Sequence, residues 1–501
     1  MAQPTRIMNS TLDFLGNWNN ALLLGGCVTY FGSRFVLPLM GKTSSQFPCI
    51  EKMSQQFGTL WTFDFSATAL SSFYSLYQDC QVMRSSGNPS NDRSLPFNRD
   101  LKVGVERRIA ATALKLFSTF VLLRAGLHGL GALSSGPGVK LQTAGAVAGL
   151  MGHSLDFYEL SAQKKDSLIN ENWPDDDSLR VPYEANIIFQ QVIKGLVIGL
   201  KTISVLALLS KTELPSPARR IFNAKPLKFV VDNQPLLTHS LLVSLLVTSY
   251  LKEIDPRLKK GGSPKSIKTT TPEFIFQDLP KSSELTKLIE ALSEMLVELG
   301  LETLGDLRLL SLGKGAKALS DFRNLPKVFA DIQSVISSAN ECIESKRKLS
   351  SDPNSQEYIK GFHRSLTQLM ASIANLTKDL AGALKYIGAF GGVAYLSSRV
   401  QLFSNIKNFL GAALALQELI VKDIPGCRRE RDFRGRTLYL LLLVMHSGIL
   451  FQSGLGGAAV KLAGRVTKST TRLTISPRFN KAVALMTASC AVGSRYLRQR
   501  P

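Results

Sequence analysis

Residues 283–300 read SELTKLIEALSEMLVELG. Leu285, Leu288, Ile289, Leu292, Met295, Leu296 and Leu299 recur every three or four residues, the spacing that puts side chains on one face of an α-helix. Glu284, Glu290, Glu294 and Glu298 fall largely on the other side. Ser282 or Ser283 can accept a hydrogen bond from a free amide in the first turn, and Gly300 suits the end, where a left-handed residue is wanted. The same period returns from Gln356 to Ile387. There Ile359, Phe362, Leu366, Leu369, Ile373, Leu376 and Leu380 alternate by three and four over about three heptads. Such a seam serves either one long helix of an intramolecular bundle or a coiled coil between chains. Strand signals are weak, and Val-rich runs such as Phe229–Asp232 are too short to build a sheet. The pattern predicts an all-α, multi-helix bundle.

Breaks fall at Gly87–Pro96, Ser134–Gly138, Gly261–Pro272 and Ser350–Asn354, where glycine, proline, serine and asparagine cluster. Between Arg257 and Pro272, Lys259, Lys260, Lys265 and Lys268 sit among Gly, Ser and Thr, the composition of a flexible basic linker. Four segments follow: an apolar N-terminal segment, 1–50; a first helical unit, 51–254; the linker with its amphipathic helix, 255–325; and a second helical unit with a basic end, 326–501. Each helical unit shows three helices, a polar loop and two more apolar helices. That order is expected of two copies of a five-helix unit joined by the linker. An arbitrary division of any all-helical chain can produce it too.

The chain has 501 residues, 45% of them hydrophobic and 20% charged, with a mean hydropathy of +0.07. Sixty Lys and Arg against 38 Asp and Glu leave a formal charge of +22, which favours an anionic partner. Six cysteines without a CxxC element point to a reducing compartment rather than a disulfide framework. The first residues, MAQPTRIMNSTLDF, lack the order of a secretory signal, and Ala21–Met40 is apolar except for Arg34.

Three stretches raise the question of a membrane. Thr437–Val460 carries no charge and is bracketed by Arg428, Arg429, Arg431, Arg434 and Arg436 before it and by Lys461, Arg465, Lys468 and Arg472 after it. Cations beside an apolar helix are attracted to anionic lipid by about 1 kcal/mol each. Fourteen Lys and Arg against two carboxylates give Cys427–Pro501 about +12 of the excess. Because both flanks are basic, charge bias assigns no orientation. Phe189–Ser210 is apolar but carries Lys194 and Lys201, seven apart and on one face. This suits a helix lying in the membrane interface with its lysine stems snorkelling, or a soluble helix with one wet face. Leu236–Leu251 is uncharged but short. The expected partners are an anionic membrane surface and a protein bound through the 356–387 helix or the basic C-terminal region. Nucleic acid is disfavoured, since the cations are not interleaved with an aromatic platform.

No motif for catalysis is present. His128, His153, His239, His363 and His446 lack metal-ligand spacing, and no phosphate-binding loop occurs. Gly313-Lys314-Gly315 reads as a helix end, and Asp175-Asp176-Asp177 as loop solvation or the cap of the next helix. We therefore expect no catalytic residue, cofactor or metal, and a non-enzymatic role.

Phe189–Ser210 and Leu236–Leu251 form two apolar lobes in a basic, serine-rich chain, and the heptad segment Gln356–Ile387 follows. In this the chain resembles the hydrophobic proteins that chlamydiae secrete into the inclusion membrane, which carry paired hydrophobic lobes and in some cases heptad segments. The resemblance implies export without a signal peptide and contact with host-derived membranes or proteins. Here about 25 residues, including Lys211, Arg219, Arg220, Lys225 and Lys228, separate the lobes, where that group uses a tight turn.

Overall fold

The computed structural model describes residues 2–41, 48–86, 99–169, 177–212, 225–254, 271–389, 394–455 and 476–499. They are almost wholly helical, as the periodicity requires. The one sheet among them is a hairpin of β1 (Thr303–Leu304) and β2 (Leu307–Arg308), turned by Gly305 at φ +60°. The principal helices are α1 (Ala2–Gly16), α2 (Trp18–Phe31), α3 (Pro48–Ser86), α4 (Arg99–Gly129), α5 (Val139–Ile169), α6 (Asp177–Leu209), α7 (Lys225–Asp232) and α8 (Gln234–Ile254). There follow α9 (Ser283–Glu298), α10 (Leu309–Phe322), α11 (Asn324–Ser351), α12 (Gln356–Ala389), α13 (Val400–Glu418), α14 (Phe433–Leu450) and α15 (Pro477–Gln499).

The chain divides into two helical units. A terminal unit comprises Met1–Ala21, Ser44–Gln56 and Ser282–Pro501, and a central unit comprises Leu22–Thr43 and Phe57–Lys281. The border between Lys281 and Ser282 thus falls inside the 255–325 segment, and the units are not successive halves of the sequence. The linker 257–270 lies outside the described residues.

In the terminal unit, α9 begins and ends as its sequence requires. Ser282 Oγ accepts from the Leu285 amide at 3.2 Å, and Gly300, at φ +90°, closes the helix while the Leu301 amide bonds Leu296 O at 2.9 Å. Its most buried positions are small: Thr286, Ala291 and Ser293. A Cβ on Gly313 of α10 would stand only 3.1 Å from Ser293 Cβ, so small residues set the approach and the leucines flank it half-buried. α15 lies along α9, tied by Arg495 to Glu284 at 3.1 Å and by Lys481 to Glu298 at 2.8 Å. α11 and α12 form a long hairpin, α13 packs on α12, and α14 packs on α15. α1 runs against α11, where Gly16 meets Ala330.

Helices of the central unit meet through still smaller residues. Gly145, Gly149 and Gly152 line one face of α5 and lie against Val121, Ser118 and Ala111 of α4. A Cβ on Gly152 would stand 2.8 Å from the Ala111 carbonyl oxygen, which is backbone and cannot swing away. Gly126 of α4 faces Thr62 of α3, and Gly199 of α6 faces Leu241 of α8. Small residues at this spacing let helix backbones approach closely. The hydroxyls buried there satisfy themselves locally: Thr62 donates to Gly58 O at 2.8 Å and Thr119 to Lys115 O at 2.8 Å.

Three prolines follow widened turns, Pro38 and Pro425 within helices and Pro280 in the turn after one. Pro38, Pro280 and Pro425 each stand two residues after a π-helical turn, at Gly32–Val36, Phe274–Asp278 and Leu419–Asp423. Proline lacks the amide that would bond four residues back, and a widened turn takes up the gap.

The α4–α5 contact yields a direct test. Gly152→Leu is expected to destabilise the central unit by about 1–3 kcal/mol through overpacking. Gly195→Ala, at a helical position with open space around it, should be neutral or slightly stabilising. Denaturant unfolding of the full chain in detergent, followed by circular dichroism, measures both.

Candidate functional site

Among the described residues, four helical stretches are long and apolar enough to cross a membrane: Trp18–Leu39, Glu106–Gly129, Ile188–Leu209 and Gln234–Lys252. A span needs about 20 such residues in helical form. Some of their large side chains are buried, among them Leu22, Leu37, Leu116 and Ile203, but many point outward. Phe117 and Phe120 on α4, Ile188 and Val192 on α6, and Val243, Val247 and Leu251 on α8 are all exposed, as are Val147 and Met151 on α5. No residue in the apolar window of Gln234–Lys252 is buried. The buried positions mix Leu60, Ala111 and Val121 with Thr59, Thr62, Thr112, Ser118 and Thr119. Hydroxyls thus share the interior with Phe57, Leu60 and Ile203, while Phe117, Phe120, Val192 and Val247 remain outside.

A charged cluster lies within this unit. Asp156 of α5 accepts from Lys115 of α4 at 2.6 Å and from Lys194 of α6 at 2.7 Å, both at Oδ2. Lys194 is therefore ion-paired against a neighbouring helix rather than extended to a headgroup layer. Lys201 lies two turns further along α6, half-buried, its stem reaching toward Gly149 of α5. The face of α6 that carries both lysines is an inter-helix face, where the sequence suggested an interfacial or wet one. Nearer the end of α5, Glu159 pairs with Arg107 at 3.3 Å, and the Arg107 guanidinium lies 5.1 Å over the Tyr158 ring.

The arginine cluster belongs to the terminal unit. Arg428, Arg429, Arg431 and Arg436 are exposed around the start of α14, and among them Phe433 is 84% exposed. Arg434 and Arg436 are partly held by backbone: Arg434 donates to Leu497 O at 2.7 Å and Arg436 Nε to Glu430 O at 2.7 Å. Lys461 and Arg465 lie outside the described residues. The described part of the uncharged stretch Thr437–Val460 is not among the four candidate spans, and residues 456–460 lie outside the described residues. α14 instead packs against α13 and α15, with Leu442 buried and Gly448 against Thr487. His446 on α14 bonds Asp423 through Nδ1 at 2.6 Å, and Asp423 is 1% exposed. Sequence spacing could not reveal this pair, because 23 residues and the break between Arg429 and Phe433 separate the two.

The heptad seam of α12 divides. Phe362, Leu369 and Leu376 are half-buried, and the row beside them, Ser365, Ser372 and Asp379, is buried. Ser372 shares hydrogen bonds with Ser334 and Ser338 of α11 at 3.2 and 3.0 Å. Leu366, Ile373 and Leu380 point away and are exposed, and Ile359 is half-buried near the start of the helix. The α11–α12 contact is therefore lined largely with small and polar groups, and an apolar row seven residues apart is left outside. A second such row, Tyr395, Leu402, Phe409 and Leu416, is exposed along and just before α13, with Phe409 72% exposed.

Asp331 of α11 sits beside Asp379 in that contact, with Lys378 and Lys327 near. Burial, then the neighbouring Asp379 charge, pushes Asp331 up to about 6. Elsewhere in this unit burial draws Arg323 down to about 10, still protonated at neutral pH, where it donates to Thr286 and stacks 4.9 Å over Trp18. No group of three or more His, Cys, Asp or Glu is arranged to hold a metal among the described residues.

The Asp331 shift has a definite sign. A carboxyl that binds its proton more tightly when folded contributes stability that is full below its unfolded value of 3.8 and is lost as pH rises through about 6. The unfolding midpoint of the terminal unit should therefore fall as pH rises through that range. Asp331→Asn should flatten the fall and raise the midpoint at neutral pH, as read by denaturant titrations at several pH values. No protein-family model, curated protein or solved structure matches the chain.

Proposed function

We propose that this chain is a non-enzymatic, membrane-associated helical protein that serves as a scaffold or membrane-organising factor. The observation that carries the reading is the outward-facing apolar surface of the central unit, formed by four helices each long enough to span. Exposed large apolar side chains recurring along such helices suit membrane or protein contact. The terminal unit supports it with a different feature: Arg428, Arg429, Arg431 and Arg436 are exposed within five residues of the exposed Phe433. An exposed phenylalanine can bury its ring at the acyl boundary, and the arginines offer bidentate hydrogen bonds to phosphate. Export without a signal peptide into a host-derived membrane belongs to the same proposal and rests on the chlamydial resemblance alone.

The reading makes a fractionation prediction. The full chain should stay with membranes through both high salt and alkaline carbonate. Release by salt alone would restrict it to surface attachment, and recovery in the soluble fraction at low salt would overturn it. Replacing Arg428, Arg429, Arg431 and Arg436 with Gln should weaken binding to anionic vesicles by about 1 kcal/mol per cation without affecting neutral ones.

A second reading, a soluble interaction protein that binds a partner through α12, is favoured by the exposed Leu366, Ile373 and Leu380 row. The two faces of α12 separate its consequences. Leu369→Glu places a charge on the half-buried face and should destabilise the terminal unit by about 2 kcal/mol or more. Ile373→Glu should leave the unfolding midpoint unchanged and, on this reading alone, abolish partner binding measured by co-purification.

A further inference from the structure

The Lys115–Asp156–Lys194 cluster is out of balance. Two ammonium groups share one carboxylate oxygen, at 2.6 and 2.7 Å, so the pair of contacts leaves one positive charge over. Lys201 adds another. No carboxylate stands within ion-pair distance of it among the described residues, and its stem lies on the same α5 face, where a Cβ on Gly149 would be 3.8 Å from its Cδ. His153, one helical turn before Asp156, lies in the field of all four of these side chains. Lys115 and Lys194 therefore converge on Asp156 from α4 and α6, and Lys201 stands further along the same glycine-lined face of α5, beside Gly149 and within the field at His153.

Two of its lysines are set well back from the ends of their apolar stretches, and Lys194, six residues into Ile188–Leu209, is nearer an end. Lys115 is nine residues into the Glu106–Gly129 stretch, and Lys201 is eight residues from the end of Ile188–Leu209. At 1.5 Å per residue each is roughly 12 Å or more from the nearer end, too far for easy snorkelling to water. Phe117, Phe120 and Val192 face outward around it. Ionisable side chains placed between apolar helices in this way mark ligand and ion sites by default, since surplus charge in an apolar setting seeks a counter-ion. The surplus is positive, and its donors are long, flexible lysines facing one stretch of α5 from Gly149 to Asp156, which suits a small oxyanion that can take more than one hydrogen bond.

We propose that Lys115, Lys194 and Lys201 form a binding site for a phosphate-class oxyanion, with Asp156 as the built-in competitor that holds Lys115 and Lys194 in place. The phosphate comes either from a lipid headgroup or from free phosphate. The proposal deepens the membrane reading and rests on it for the apolar setting, but binding is measured apart from fractionation, so either can fail alone.

The test uses the purified full chain in neutral detergent. Inorganic phosphate is presented by equilibrium dialysis, and phosphatidic acid, with phosphatidylcholine as the neutral control, by native mass spectrometry. Wild type should bind at least one of the two phosphate probes. Lys201→Gln, which breaks no ion pair seen here, should weaken that binding about tenfold, the loss expected for one charge-assisted hydrogen bond. Asp156→Asn should strengthen it, because the competing carboxylate is gone while the lysines remain. A purely structural ion pair predicts the opposite sign for Asp156→Asn: lower stability and no gain in binding. Lys346→Gln/Lys348→Gln, on the exposed surface of α11, should change nothing. Phosphatidic acid bound without inorganic phosphate identifies the lipid as the source, and binding of both identifies the free anion as sufficient. Failure of wild type to bind either probe overturns the site. So does equal binding by wild type, Lys201→Gln and the surface control, which would be adventitious charge attraction only. Helix content and elution volume are checked for every variant. If Asp156→Asn does not fold without anion, its recovery on adding phosphate replaces the affinity gain as the supporting result, and no recovery counts against the site.

Discussion

Close approach of helix backbones through glycine, serine and threonine is the constraint on which the rest of this structure depends. Where α5 meets α4, Gly145, Gly149 and Gly152 leave no room for a side chain. Where α9 meets α10, Gly313 and Ser293 do the same. Once the contact is made by small groups, the large apolar side chains on the same helices have nowhere to go but the flanks and the outside. In water that arrangement exposes apolar area at about 25 cal/mol per Å². In lipid it carries no such penalty, and van der Waals contact between backbones becomes the main source of helix association. The outward phenylalanines of α4 and the glycine face of α5 are two consequences of one packing rule.

The same rule explains how so many polar groups are buried without destabilising the fold. A hydroxyl on a helix can donate to the carbonyl four residues back, as Thr62, Thr119 and Thr487 do, and then needs nothing from the neighbouring helix. Charged groups cannot be satisfied so locally and are paired across helices. Lys385 and Lys407 converge on Asp321, His446 on Asp423, and Lys115 and Lys194 on Asp156. Breaking one partner of such a pair costs more than the pair contributes, because the other charge is left stranded. These pairs therefore resist slippage of one helix along another, which smooth apolar faces would allow.

The two units use charge differently. In the terminal unit the exposed arginines stand at the start of α14 beside Phe433, on the outside, where they act on a surface. In the central unit the lysines stand between helices, where they act on one another and on Asp156. Net charge gives no hint of this difference, since both sets add equally to the +22 of the chain.

Much of the fold was legible from residue order alone. Three- and four-residue spacing announced an all-α chain, Ser282 and Gly300 marked the ends of α9, and the apolar runs near Phe189–Ser210 and Leu236–Leu251 coincide with two of the four candidate spans. Periodicity reports which residues share a face, and covalent spacing is enough to set that. It does not report which face meets a neighbour. On α12 the apolar row suggested the contact, yet the buried row is Ser365, Ser372 and Asp379, because α11 presents Ser334, Ser338 and Asp331 to it. Lys194 and Lys201 looked like a wet face for the same reason: what they meet lies on α5, Asp156 for Lys194, 38 residues away, and the Gly149 face for Lys201. Sequence determined the helices and their apolar character. The tertiary structure alone decided which side of each helix is inside, because that choice depends on how closely two backbones can approach.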